Sequence, residues 1–279
     1  MSFPPETPPE TPPEPAPRYT HGHAEPVLRS HRWRTAENSA AYLIQSLRPG
    51  MALLDLGCGP GTVTADLARL VAPGQVVAVD SAEGILGLVR SQCAEAGVEV
   101  AVGVAHGEVL PFPDDTFDVV HAHQVLQHVS DPVGVLREMR RVCRPGGIVA
   151  ARDSDYAAVT WFPLVPELDE WLALYQRLAR RNGGEPDAGR RLYGWAQRAG
   201  FSVITPGASA WCYADDTDRA WWGRLWADRL LASAFGEQAV AEGLASRGDL
   251  ERLATGWRRW ATAHDGWLGI LHGEVLCRA

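Results

Sequence analysis

Between Met51 and Arg152 short apolar runs alternate with helix-patterned segments, and this alternation limits the possible folds more than any other feature of the chain. The runs Met51 to Leu56, Gln75 to Val79, Val98 to Val102, Phe117 to Ala122 and Ile148 to Arg152 read as strands. Thr62 to Val71 and Ala82 to Ala96 carry helical spacing, and Asp131-Pro132 supplies an N-cap followed by a first-turn proline. Arg144-Pro-Gly-Gly stops that helix. Strands that alternate with helices join through right-handed crossovers, which predicts a doubly wound α/β fold with a mostly parallel sheet. Ligands then belong at the C-terminal ends of the strands.

The flanks complete this plan. The Pro-Pro-Glu-Thr repeats of residues 1–18 cannot build a core and are expected to form a disordered tail. One domain is expected over 19–279: an arm and helix at 19–50, a ligand-binding core at 51–153, and a remainder at 154–279. Thr35 to Leu47 is expected as one helix capped by Thr35. In the remainder, Glu167 to Arg181, Ala188 to Ala199 and Asp218 to Ala232 are helical candidates for a lid. Phe201 to Trp211 and Trp267 to Leu276 are expected to finish a seven-stranded sheet as an antiparallel edge.

A chain of 279 residues suits one core with a cap. Its formal net charge of -8 argues against nucleic acid, whose binding needs clustered Lys and Arg. No apolar stretch is long enough for a membrane span, and the acidic, proline-rich start lacks the features of a secretory signal, so a cytoplasmic protein is expected. The five cysteines are odd in number and scattered, which gives neither a disulfide framework nor a CxxC metal site.

Leu54-Asp-Leu-Gly-Cys-Gly-Pro-Gly-Thr puts Gly57, Gly59 and Gly61 at the first strand-to-helix turn, where backbone can approach a ligand closely. The dinucleotide fingerprint requires a third glycine where Thr62 stands, which disfavours a nicotinamide-dependent reductase. Asp55 adds negative charge where a pyrophosphate would be repelled and an amino group or sulfonium welcomed. Asp80 ends the second strand, where an acid in this topology accepts from a ribose diol.

With these residues in place the sequence resembles the class I S-adenosylmethionine-dependent methyltransferases, in the branch of the ubiquinone and menaquinone ring methyltransferases and natural-product enzymes. The matching stretches are Leu53-Leu-Asp-Leu-Gly-Cys-Gly-Pro-Gly, Val79-Asp80, Leu110-Pro-Phe-Pro-Asp-Asp-Thr-Phe-Asp118, Val125-Leu-Gln-His-Val129 and Leu136-Arg-Glu-Met-Arg-Arg-Val-Cys-Arg-Pro-Gly-Gly147. The resemblance implies a Rossmann-like fold and S-adenosyl-L-methionine as cofactor. It implies that Asp55, Gly57 and Gly59 face the methionine part and that Asp80, with Ser81 beside it, holds the ribose. Near the adenine the family has an acid followed by a small residue; here the stretch is Ala105-His106-Gly107-Glu108, with His106 in the acid's place. The Tyr19 to Thr35 arm is similar to the segment that closes over the cofactor, with Tyr19 toward the methionine carboxylate. Alternatively Tyr19, His21 and His23 are exposed polar residues ahead of a helix.

Methyl transfer from a sulfonium is an in-line displacement, so positioning supplies much of the catalysis. A protonated acceptor also gains from a nearby base. His123 and Gln124 lie where the fourth strand ends and are expected to contact the cofactor, and His123 is also read as base or acceptor-orienting residue. Asp153 and Asp155 flank the same mouth as further candidates, or serve as cap and turn partners. His128 reads as a packed histidine, and His121, His123 and His128 lack a fourth ligand for zinc.

Ten of the eleven tryptophans follow residue 160, so the lid is aromatic. Trp222 with Trp226 and Trp257 with Trp260 have the spacing of one helix face, which suits core packing. Tyr156 and Trp161 are read as lining the acceptor pocket. An aromatic pocket favours a small planar or apolar acceptor methylated on O, N or S. Ring C-methylation of a quinone precursor and a non-catalytic cofactor-binding protein are the alternatives.

Overall fold

The computed structural model describes Thr20 and residues 25–279; the tail, Tyr19, His21 and His23 lie outside the described residues. The strands are β1 (Leu53–Leu56), β2 (Val76–Asp80), β3 (Ala101–Val104), β4 (Phe117–His123), β5 (Cys143–Ser154), β6 (Thr160–Phe162), β7 (Val203–Tyr213) and β8 (Trp267–Arg278). They form one sheet in the order β3-β2-β1-β4-β5-β8, with β6 and β7 also paired to β8. The first five strands are mutually parallel. β8 runs antiparallel between β5 and β7. The short β6 continues along the β5 side of β8, pairing Thr160 with Gly269. The sheet is therefore seven strands wide, as the alternation predicts, with β6 as an unforeseen extension.

The helices are α1 (Glu25–Arg32), α2 (Ala36–Ser39), α3 (Ala41–Ile44), α4 (Thr62–Val71), α5 (Leu86–Glu95), α6 (Pro132–Val142), α7 (Pro166–Arg181), α8 (Leu192–Arg198), α9 (Asp216–Ala232), α10 (Ala234–Ala241) and α11 (Arg247–Ala261). Neighbouring strand residues send their side chains to opposite faces, so a central strand covered by helices on both sides buries apolar side chains on each face. Leu53 and Val119 pack with α2, α3 and α4 in one buried cluster. Leu54 and Val120 pack with α6 and α8 in another. Asp131 caps α6 by accepting from Gly134 N at 2.8 Å, and Val135, Leu136, Met139 and Val142 form its buried stripe.

The helix expected over Thr35 to Leu47 is broken at Ala40, whose φ of -138° and ψ of 19° leave the helical region. Thr35 does cap α2, reciprocally with Asn38. The break has a clear cause: the Asn38 carbonyl accepts from Trp211 Nε1 at 2.7 Å, the bond that Tyr42 N would make in a continuous helix. Ala82 to Ala96 likewise begins as a tight turn, Glu83–Ile85, before α5.

Above the strand ends, α7, α9, α10 and α11 enclose a core of Trp171, Trp226, Trp257 and Trp260. Trp171 meets Trp226 edge-on with centroids 4.4 Å apart and Trp257 at 4.7 Å. Such edge-to-face pairs contribute roughly 0.5–1.5 kcal/mol each beyond area burial. Trp226, Trp257 and Trp260 are thus core residues, as their helical spacing suggests. α1 and α10 are not among the expected helices, and of α11 only the Trp257–Trp260 spacing is read from the sequence.

Candidate active site

At the end of β1, Gly57, Gly59 and Gly61 adopt φ of +68°, +54° and +88°. The left-handed backbone turns the chain back so that Gly57 N and Cys58 N both donate to the Val79 carbonyl, at 2.8 and 3.1 Å. A Cβ on Gly57 would lie 2.4 Å from Val125 Cγ2, which leaves no room for a side chain. Asp80 anchors the other side: its two oxygens accept from Gly59 N and Ala82 N, each at 3.0 Å. Each oxygen keeps a lone pair for a further donor. The Cys58 thiol is buried, and burial together with Asp55 and Asp80 raises its pKa, so it acts as a packed side chain rather than a nucleophile.

A cavity of about 270 Å³ opens here. Asp80, Ser81 and the loop Ala105 to Glu108 line one end, and the glycine loop and the end of β4 follow. Tyr156, Trp211, Trp222 and Arg229 line the other end under the lid. Asp55, Gly57, Gly59, Asp80, Ser81, His106, Gly107, Glu108, His123, Gln124 and Tyr156 all border this one space.

Asp55 does not present a free carboxylate to it. Its Oδ1 meets His121 Nδ1 at 2.8 Å and its Oδ2 accepts from Thr64 Oγ1 at 2.5 Å, with all three side chains buried. The opposite nitrogen, His121 Nε2, is buried without a hydrogen-bond partner.

His123 is the last residue of β4 rather than the first beyond it, and is 7% exposed. Neither of its ring nitrogens has a partner. Burial, then the charges of Arg34 and Arg152, hold its pKa well below the ordinary value, so the ring is neutral at pH 7. Gln124, at φ of +54°, is fully engaged. Its Oε1 accepts from Arg34 Nη2 at 2.5 Å, and its Nε2 donates to Ser154 Oγ at 2.7 Å and His272 Nε2 at 3.0 Å. The latter bond fits a His272 that donates from Nδ1 to the Ile270 carbonyl. Gln124 therefore ties Arg34, Ser154 and His272 together while bordering the cavity.

Three of the expected site residues do not border the cavity. Asp155 is held by Arg190 through Nε at 2.6 Å and Nη2 at 2.7 Å, and by Arg190 N at 3.0 Å. It does not border the cavity, because these bonds tie it to the turn before α8. Asp153, fully buried, accepts from Gln127 N at 3.0 Å and also stands off the cavity wall. Burial pushes its pKa up to about 7, but without access it anchors the turn carrying Gln127 and His128. Trp161 belongs to the lid core, since β6 turns it inward against that cluster. His128, by contrast, does border the cavity, and burial lowers its pKa to about 3.

The lid-side wall is made largely of residues that sequence reasoning missed. Trp33 and Arg34 come from the segment after α1, Trp211 from β7, and Trp222 and Arg229 from α9. Trp33 packs edge-on against Trp211 with centroids 5.3 Å apart. Among the described residues no three His, Cys, Asp or Glu side chains converge as a metal site, and no helix is long and apolar enough to cross a membrane.

The donor set fits an adenosyl group with an amino-acid arm. Asp80 presents acceptors to a diol, a Cβ at Gly57 would collide with Val125, and His121 Nε2 and the His123 ring are buried and unsatisfied.

Comparison with known proteins agrees. The family described as Methyltransferase domain matches residues 54–151. An uncharacterized methyltransferase of Schizosaccharomyces pombe is 34% identical over 269 residues, covering 92% of this chain and 95% of its own length. The ubiquinone/menaquinone biosynthesis C-methyltransferase UbiE of Vibrio parahaemolyticus is 36% identical over 171 residues, covering 55% of this chain and 65% of its own length. Among solved structures, the YcgJ protein of Bacillus subtilis superimposes with a TM-score of 0.58 at 18% identity, covering 87% of this chain and 98% of its own, a likeness of fold.

Proposed function

Because the chain belongs to the class I S-adenosylmethionine-dependent methyltransferases, we propose that the cavity takes the cofactor along its glycine loop and a small planar or apolar acceptor beneath the lid. The observation that carries this reading is continuity: Asp80 and Trp222 border the same space.

S-adenosylmethionine, when bound, supplies an electrophilic methyl group on a sulfonium. The chain's own residues then hold and orient. Asp80 would accept from the ribose hydroxyls, with Ser81 beside it, while His106, Gly107 and Glu108 would border the adenine. Gly57, Gly59 and the His121 ring steadied by Asp55 would face the methionine arm. Trp33, Trp211, Trp222 and Tyr156 would fix the plane of the acceptor and exclude water, so that the nucleophile is presented in line.

His123 stands between the two halves. A neutral imidazole with both nitrogens unsatisfied can receive the hydrogen of an acceptor O–H, N–H or S–H. Burial, with Arg34 and Arg152, disfavours its protonated form, so it orients the nucleophile and passes the acceptor's proton on to solvent water as the methyl group is transferred. Methylation at a ring carbon is the second reading, supported by the similarity to UbiE over 55% of the chain.

Calorimetric titration with S-adenosylhomocysteine tests the cofactor half, with Asp80→Ala expected to weaken binding at least tenfold. No binding to the wild-type chain would reject the site. For the acceptor half, His123→Asn is expected to lower kcat for an O–H acceptor with little change in cofactor affinity; unchanged turnover would remove His123 from the mechanism.

A further inference from the structure

Resting on the cofactor site proposed above, we infer that the α-ammonium group of the methionine arm donates to Nε2 of His121, so that this imidazole, and not the motif acid Asp55, reads the amino end of the cofactor. His121 and Asp55 are register partners on β4 and β1, and both border the cavity at its glycine-loop end.

Both oxygens of Asp55 are already met by buried donors. Oδ1 lies 2.8 Å from His121 Nδ1, and Oδ2 accepts from Thr64 Oγ1 at 2.5 Å. A carboxylate oxygen only accepts, so Nδ1 carries the ring hydrogen, and in that tautomer Nε2 presents a bare lone pair. The side chain of His121 is 0% exposed and Nε2 has no hydrogen-bond partner, although the ring borders the cavity. A buried acceptor of this kind is satisfied when a ligand brings an N–H to it.

The loop beside it has no free amide for a carboxylate. Gly57 N and Cys58 N donate to the Val79 carbonyl, Gly59 N to Asp80, and Gly61 N to the Cys58 carbonyl at 3.1 Å, while Pro60 has no N–H. The turn is therefore not a nest for anions, which depends on successive unbonded N–H groups. Charge points the same way. Among the described lining residues from Asp55 to Glu108 there are three carboxylates and no Lys or Arg. The fields of Asp55 and Asp80 also add to burial in raising the pKa of the Cys58 thiol. This end favours a cation, and the Asp55 carboxylate behind the ring strengthens a charge-assisted bond from ammonium to Nε2. Asp55 is thus a positioning residue, which fixes the nitrogen that carries the hydrogen.

The test is calorimetric titration of the full chain with S-adenosylhomocysteine, its desamino analogue and its decarboxylated analogue. Loss of the amino group is expected to weaken binding to the wild-type chain by about tenfold or more. His121→Asn keeps an amide N–H for Asp55 and removes Nε2. It should bring S-adenosylhomocysteine down to the affinity of the desamino analogue, weaken the decarboxylated analogue equally, and leave the desamino analogue unchanged. Asp55→Asn can turn an N–H toward Nδ1 and so move the ring hydrogen to Nε2; it should shrink the same preference for the amino group, which lost packing alone would not do, and it carries the comparison if His121→Asn does not fold. Desamino binding within about threefold of S-adenosylhomocysteine on the wild-type chain, or an amino-group preference that survives these substitutions, would overturn the inference and leave the cofactor site standing. Absence of S-adenosylhomocysteine binding by the wild-type chain would remove both.

Discussion

Asp55 and His121 sit opposite each other on neighbouring parallel strands, Oδ1 to Nδ1 at 2.8 Å, both buried. The acid of the glycine-loop motif is thus spent on orienting an imidazole. With Nδ1 turned to the carboxylate, Nε2 is the nitrogen left for a ligand or a water.

Removing that carboxylate strands two buried partners. Asp55→Ala is expected to lower unfolding stability by roughly 2–5 kcal/mol, because both His121 and Thr64 lose their acceptor. Urea denaturation measures this, and a change under about 0.5 kcal/mol, the range of neutral surface substitutions, would contradict it.

Gly57 combines a steric and a conformational demand. Gly57→Ala should destabilise by about 1–3 kcal/mol and weaken cofactor binding, since the new methyl meets Val125 Cγ2 and φ is +68°. Adding Val125→Ala relieves only the collision. Full recovery in the double variant would show that the backbone conformation contributes nothing.

Asp153 gives stability a specific pH dependence. Its pKa is raised from 3.8 to about 7 by burial, so between those values the native state holds a proton that the unfolded chain has released. Stability from this group is therefore present at low pH and falls as pH rises toward 7, by up to roughly 4 kcal/mol. Asp153→Asn keeps the acceptor for Gln127 N and removes the charge. It should raise Tm relative to wild type at pH 8 more than at pH 5; an equal effect at both would refute the assignment.

Asp155 and Trp161 should act on folding alone. Asp155→Ala leaves the Arg190 contacts unmade, and Trp161→Ala opens a hole in the lid core, with losses of about 1–3 and 3–5 kcal/mol. Thermal melts should show both losses, with Kd for S-adenosylhomocysteine unchanged in calorimetry. A tenfold rise in Kd for either would place it back at the site.

The parallel half of the sheet was legible because its signals are local. Thr62–Val71 is a helix over the residues its spacing predicts, and Asp131 caps α6 with Pro132 next in line. The break at Ala40 was not legible, because it depends on an indole from β7, 173 residues away in sequence. The glycine-loop half of the cavity followed from motif residues that succeed one another at strand ends. The lid half did not, since Trp211 and Trp161 look alike in sequence and only the packing of α9 and β6 decides which one borders the cavity. Asp155 misled for the same reason: its partner Arg190 lies 35 residues on, with nothing local to mark the pair.

β8 follows in the chain every strand that it joins, yet it lies inside the sheet, with β5 and β6 on one side and β7 on the other. During synthesis the first five strands can assemble as they emerge, while β5, β6 and β7 keep unpaired edges until their common partner arrives. Such non-local pairing delays closure and exposes strand edges to other chains. The half of the molecule that would grip the acceptor is consequently the last to form and the most exposed to misassembly on the way.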